Sequence, residues 1–377
     1  MVSKKKILFI IYSLAGGGAE KALITLLHKF DYNRFDVDLL LFVKEGVYLN
    51  DIPKKVNLRY AYNSVESFRI KIDFIMVNSL GLSCRYKQRI KSKVQYYDTI
   101  VSFTEQALKY HSWIFDRARK NISWIHTDLL HFHYTVVKDD ISSLEQERSN
   151  FSKLDDIVFV SNDAKKQFEK LYPDNEIKKI VIYNLIDSKS ISRYRKNRNF
   201  GLKDKIFTIV SVGRLHSIKG FDRLLRIAKK LKDDNYNFHI KIIGEGAERN
   251  NLENFISEYH LEEYVSLLGF VNPPYNLMAD ADLFISTSIA EGFSLVVCEA
   301  FCLGLPVVCT KTTGPIELLD NDKYGLLTEH DDESIYQAVK KMINDDFLRE
   351  HYHKKSLERA EIFDMDSVMS KIYTVLD

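Results

Sequence analysis

Apolar runs of strand length alternate with helix-length amphipathic patterns almost from one end of the chain to the other. That alternation is the mark of βα units wound around parallel sheets. In the first half the strand candidates are Lys6–Tyr12, Val37–Phe42, Tyr97–Phe103, Ile122–Ile125, Ile157–Ser161 and Lys179–Tyr183, with helices over Ala19–Phe30 and Asp163–Leu171. The pattern then lapses into a polar stretch bearing Arg193, Arg195, Lys196 and Arg198, which reads as a linker over residues 187–205. It restarts with strands Phe207–Val212, Phe238–Ile243, Val265–Leu268, Leu283–Ser286 and Pro306–Cys309. Helices are expected between them over Phe221–Leu231, Arg249–Tyr259 and Ser294–Leu303. A chain of 377 residues exceeds one ordinary core. The expected class is therefore α/β, with two Rossmann-like doubly wound parallel-sheet domains over 1–186 and 206–359. Such domains bind ligands at the carboxyl ends of their strands, so a cleft shared by both sheets is the expected site.

Composition narrows the function. The chain is 45% hydrophobic with a net charge of +2, which gives no basis for binding nucleic acid. The near-neutral total conceals +7 over residues 1–190 and −5 over residues 191–377. Arg85, Lys87, Arg89, Lys91 and Lys93 follow one another with no acid between them, a pattern equally suited to a solvated helix face or to anionic lipid. Cys84, Cys298, Cys302 and Cys309 are few and set among apolar residues, which suits a reducing, cytoplasmic setting. Cys298 and Cys302 stand four residues apart on one helix, but no histidine follows at ligand spacing, and no metal is expected. No apolar run nears the roughly 20 residues that span a bilayer, so any membrane contact is expected to be peripheral.

Three loops carry chemistry. Gly16-Gly17-Gly18-Ala19-Glu20 follows a strand and opens a helix, where bare backbone N–H groups can approach a phosphate or sugar. The G-x-G-x-x-G dinucleotide spacing is missing. Arg214 and Lys219 flank the turn after Phe207–Val212 and form a natural clamp for a diphosphate. Glu291 sits in the loop after Leu283–Ser286, while Glu299 lies eight residues on, inside the helix that begins near Ser294. Free N–H groups at that helix start suit a phosphate, Glu291 suits sugar hydroxyls, and Glu299 suits a ribose diol.

Taken together, these residues resemble glycosyltransferase family 4, a family of retaining enzymes with the GT-B fold. Glu291 and Glu299 match its E-x7-E motif in the setting Glu291-Gly292-Phe293, Glu299-Ala300 and Gly304-Leu305-Pro306-Val307-Val308. Ser211-Val212-Gly213-Arg214-Leu215 with Lys219-Gly220, Ile243-Gly244-Glu245-Gly246, Asn184 with Asp187, and the amino-terminal glycine loop are also similar to that family. The resemblance implies that Arg214 and Lys219 hold the donor diphosphate, Glu299 the ribose and Glu291 the transferred sugar. It further implies that Phe293, Ser294 and Leu295 meet the donor through backbone N–H groups and that Gly17 closes over it. His126, in Trp124-Ile125-His126-Thr127-Asp128, matches the family's histidine near the donor sugar. Asp128 is a weaker match.

The activity implied is transfer of a hexose or N-acetylhexosamine from a nucleotide-diphosphate sugar, with a UDP-sugar expected, to a glycan or lipid-linked acceptor in surface-polysaccharide or other glycoconjugate synthesis. The resemblance also implies catalysis without a metal cofactor, an acceptor-facing first domain, a donor-binding second domain, and a last helix, about 360–377, packed back on the first domain. A sugar-nucleotide epimerase of the same fold and a non-catalytic nucleotide-sugar-binding partner are the alternatives. Peripheral contact with an anionic inner-membrane face stays open beside them.

Overall fold

The computed structural model describes residues 3–66, 84–132, 141–198 and 206–377. It divides into two compact units, Met1–Leu185 with Asp366–Asp377, and Ile186–Met365.

The first unit is built on seven parallel strands: β1 (Lys5–Ile11), β2 (Phe35–Val43), β3 (Asn57–Tyr62), β4 (Tyr97–Ser102), β5 (Ala118–Ile125), β6 (Asp156–Phe159) and β7 (Lys178–Val181). Their order is β3-β2-β1-β4-β5-β6-β7. Central β1 buries Ile7 to Ile11 without interruption, as a strand covered on both faces must, and Ile7 registers with Val37 of β2 and Thr99 of β4. Edge strand β3 has no such apolar run and is absent from the sequence-based expectations. It is held instead by the buried carboxylate of Asp38, which accepts from Asn57 Nδ2 at 2.9 Å, Arg59 Nε at 2.7 Å and Tyr97 Oη at 2.5 Å. The helix Met365–Leu376 buries Met369, Ile372, Val375 and Leu376, each contributing about 1.5–3 kcal/mol of burial free energy. Thr99 and Lys120 donate to the carbonyls of Leu376 and Val375, and the Tyr373 ring stacks on Phe35.

The second unit has six parallel strands: β8 (Phe207–Val212), β9 (Phe238–Ile243), β10 (Val265–Leu267), β11 (Leu283–Ser286), β12 (Val307–Thr310) and β13 (Leu326–Thr328), ordered β10-β9-β8-β11-β12-β13. The amphipathic helix Phe221–Asp233 sinks Leu224, Leu225, Ala228 and Leu231 into the core of this sheet. The polar stretch read as a linker is in part folded. Ser188–Ser192 is helical, with Asp187 capping it through the N–H of Ser190. Arg195 donates to the carbonyl of Cys302, which ends the helix Leu295–Cys302, and Arg198 to those of Ala279, which ends the helix Tyr275–Ala279, and of Ala281, so these cations satisfy the last carbonyls of two helices. Residues 199–205 of the expected linker lie outside the described residues.

In each sheet the strand order reverses at one place, between β1 and β4 and between β8 and β11. Loops leaving the carboxyl ends of those neighbouring strands splay to opposite faces and leave a crevice, the usual ligand position in an open α/β sheet.

Candidate functional site

In the second unit the crevice is framed by the loops after β8 and β11. Beyond Val212 the chain passes Gly213 and Arg214, makes a single 3-10 turn at Ser217–Lys219, and enters the Phe221–Asp233 helix through Gly220. Gly220 has φ +64°, and a Cβ there would stand 2.2 Å from the carbonyl oxygen of Thr287. That close approach needs glycine. Thr287 Oγ1 donates to the Gly220 carbonyl at 2.8 Å, and the Ile289 N–H donates to the Ile218 carbonyl at 2.8 Å. The two loops are thus fastened to each other, and Lys219 Nζ reaches Glu291 Oε2 at 2.5 Å. The Lys219 and Glu291 side chains are 26% and 12% exposed. Arg214 sits exposed on the same loop, five residues before Lys219.

Glu291 is itself anchored from β12's side. The Gly314 N–H donates to the Glu291 carbonyl at 2.9 Å, and a Cβ on Gly314 would lie 2.7 Å from Phe293 Cα. The loop then passes the buried Phe293 and Ser294 into the helix Leu295–Cys302. Ser294 occupies the cap position, yet its hydroxyl makes no capping bond and its Oγ is buried without a hydrogen-bond partner among the described residues. The first N–H groups of this helix are therefore not answered by their own cap, and their dipole favours an anion. Glu299, on the same helix, is 2% exposed, and the Tyr275 hydroxyl donates to its Oε1 over a long 3.4 Å. Burial, with a smaller push from Glu299, raises the Cys302 thiol to about 12, and burial raises Cys298 and Cys309 as well. These thiols are unreactive at neutral pH. Among the described residues no three His, Cys, Asp or Glu side chains gather as a metal site.

The remaining expected residues belong to the first unit. Gly17 is the cap of the helix Gly18–Lys29, which follows β1, with Glu20 in its first turn. His126 comes immediately after β5, its ring centre 4.8 Å from that of Phe103. Burial holds the imidazole neutral, its pKa pulled down to about 3, and Nε2 has no hydrogen-bond partner among the described residues. The sequence motifs did not point to Glu105, just beyond β4, whose Oε2 accepts the His126 N–H at 3.2 Å. Nor did they point to the hydroxyls of Thr287 and Thr310. Thr310 Oγ1 donates to the Ser288 carbonyl at 2.5 Å and stiffens the loop before Glu291. An acid and a hydroxyl run directly after apolar strands were the available signals.

The basic run lies on the helix Cys84–Lys91 and just after it. Arg85, Lys87, Lys91 and Lys93 are exposed, Ile90 is buried, and the Arg89 guanidinium lies over the Tyr62 ring at 4.8 Å. Lys91 has Asp116 at 3.8 Å. Among the described residues no helix is long and apolar enough to cross a membrane.

A sequence profile described as glycosyl transferases group 1 matches residues 192–359. Over 368 residues, 96% of each chain, the protein is 32% identical to the N-acetylgalactosamine-N,N'-diacetylbacillosaminyl-diphospho-undecaprenol 4-alpha-N-acetylgalactosaminyltransferase of Campylobacter jejuni. It is 29% identical over 199 residues to the capsular polysaccharide biosynthesis glycosyltransferase CapM of Staphylococcus aureus, covering 52% of this chain and 47% of that one. Among solved structures, Anabaena Alr3699/HepE in complex with UDP-glucose superposes with a TM-score of 0.78 at 21% identity, over 99% of both chains.

Proposed function

The chain belongs to the group 1 glycosyl transferases and has the GT-B fold, and from that premise we propose that it is a retaining family 4 enzyme. Its donor is a UDP-hexose or UDP-N-acetylhexosamine, and its acceptor a lipid-linked or free glycan. The observation that carries this reading is the convergence of Lys219, Glu291 and the uncapped start of the Leu295–Cys302 helix at the strand-order reversal of the second sheet. Opposite charges for a phosphate and for sugar hydroxyls meet there beside a helix N-terminus.

In this reading Arg214 and Lys219 hold the diphosphate, with N–H groups at Phe293, Ser294 and Leu295 beside them. Glu299 accepts from the ribose hydroxyls and Glu291 from the transferred sugar. Gly17 and His126 belong to the first unit, read as the acceptor domain. The bond between the anomeric carbon and the β-phosphate oxygen breaks with its electron pair going to phosphate. The acceptor oxygen bonds to the same face of that carbon, and its proton passes to the departing phosphate oxygen. Negative charge grows on the diphosphate as this happens, and the two cations and the helix start stabilise it without a metal. No carboxylate pair is needed to flank the bond as in a retaining glycosidase.

The named Campylobacter jejuni relative takes a diphospho-undecaprenol-linked acceptor. An acceptor of that class fits the exposed cations of the Cys84–Lys91 helix, which would meet its phosphates or an anionic lipid surface at the cytoplasmic membrane face. The test is UDP release from UDP-glucose, UDP-N-acetylglucosamine and UDP-N-acetylgalactosamine, with and without EDTA, and with NMR of the sugar product. Release unaffected by EDTA, with the α-anomer retained, supports the proposal. Epimerised donor, or UDP binding without any turnover, contradicts it.

A further inference from the structure

We propose that Glu105 is a positioning residue for His126, its carboxylate tying the backbone just past β5 to the end of β4 and so fixing where the imidazole Nε2 stands. The inference rests on the proposed role of His126 in transfer. β4 and β5 are adjacent parallel strands in register at Ser102 and Ser123, and they end side by side next to the strand-order reversal. Past the end of β5 the His126 N–H lies beyond the strand ladder, and the Glu105 carboxylate takes it at 3.2 Å. That bond makes the acid just past β4 the partner of the first residue beyond β5.

A carboxylate enclosed in protein is an expensive way to tie a loop. Burial pushes the Glu105 carboxyl up, the charge of Glu147 adds to that, and the hydrogen bond from the His126 N–H only partly reverses it. Such an arrangement is common where a geometry must be held for chemistry. What it holds is specific. The His126 ring leans on Phe103, which precedes Glu105 by two residues, and Nε2 is a buried polar atom with no partner among the described residues. Phe103 and Glu105 thus locate the ring and the backbone of one histidine from a single short segment.

The experiment is a double-mutant cycle on the full chain, read as UDP release from whichever of UDP-glucose, UDP-N-acetylglucosamine and UDP-N-acetylgalactosamine turns over fastest. Glu105→Ala is expected to lower kcat about 10- to 100-fold while moving the donor KM less than about two-fold, the usual size of a lost orienting partner. In a His126→Ala background the same change is expected to add less than about two-fold. Glu105→Gln, which keeps a carbonyl oxygen in place, is expected to restore most activity, whereas Glu105→Asp, which withdraws the acceptor, is not. Those two variants carry the comparison if Glu105→Ala does not fold. Additive losses in the double variant, or full activity in Glu105→Ala, would overturn the inference and leave the role of His126 intact. Full activity in His126→Ala would remove both. Hydrogen exchange at residues 124–128 reads the tie without turnover. Faster exchange in Glu105→Ala supports it, and unchanged exchange overturns it.

Discussion

Replacing Lys219 by alanine separates two effects that the structure has superimposed on one side chain. At 2.5 Å the Lys219–Glu291 pair has a gross attraction of about 7 kcal/mol at an effective dielectric constant near 20. Desolvation removes most of that. With side chains 26% and 12% exposed, the pair stands between a surface bridge and a buried one, so breaking it destabilises the second unit by about 2 kcal/mol. For a unit of this size that corresponds to a fall in Tm of roughly 4–8 °C. Transfer suffers more, because a positive charge facing the departing diphosphate is lost, and kcat is expected to fall about 100- to 1,000-fold. The decisive variant is Lys219→Ala combined with Glu291→Gln. Removing the stranded charge restores Tm to within about 2 °C of wild type, while transfer stays lost. Thermal unfolding and single-turnover UDP release measure the two quantities. Wild-type turnover in Lys219→Ala would refute the argument, and so would joint recovery of stability and activity in the double variant.

Gly220→Ala places a Cβ 2.2 Å from the Thr287 carbonyl at φ +64°, and is expected to destabilise the second unit by about 2–3 kcal/mol, measured by urea unfolding. Glu299→Gln keeps the shape of a 2% exposed side chain and is expected to weaken UDP affinity about ten-fold in calorimetry, leaving the Tm without nucleotide nearly unchanged. The first unit should lose stability in acid. His111 is fully buried between Ser102 and Asn121, and burial lowers its pKa from an ordinary 6.5 to about 4. The unfolded chain therefore binds more protons between those values, and the stability present above pH 6.5 declines as pH falls towards 4. At pH 5 the His111 share of the loss is about 2 kcal/mol, and His126 adds to it in the same direction, read as a lower Tm than at pH 7. A His111→Gln variant should flatten that slope.

Most of the fold was legible because its central strands are continuous apolar runs. β8 and β11 begin and end where their largely apolar stretches do, as covered parallel strands should, and β9 shows instead as an alternation of buried Phe238, Ile240 and Ile242 with His239 and Lys241. What escaped was what relies on polar partners. β3 is an edge strand whose Asn57 and Arg59 are held by Asp38 from the next strand, and β13 has only three residues, Leu326–Thr328. The polar stretch at Arg195 and Arg198 looked like a linker because charge advertises solvent, whereas here the guanidinium groups close the ends of helices. The site shows the same division. Glycines, a clamp of cations and spaced acids mark loops after strands, and local pattern suffices to find them. The Lys219–Glu291 pair spans 72 positions and exists only because β8 and β11 are neighbours, as the Glu105–His126 bond exists only because β4 and β5 are. Neighbourhood of strands distant in sequence is a property of sheet order, which no single segment encodes.

The central claim, that the loops after β8 and β11 hold a nucleotide diphosphate, is tested most directly by calorimetric titration of UDP and UMP into wild-type protein and the Arg214→Ala variant. The account predicts that wild type binds UDP more tightly than UMP. It also predicts that Arg214→Ala weakens UDP about 10- to 100-fold, leaves UMP affinity less changed, and does not alter Tm in the absence of nucleotide. Equal UDP affinity in wild type and Arg214→Ala, or no preference of wild type for UDP over UMP, would contradict it.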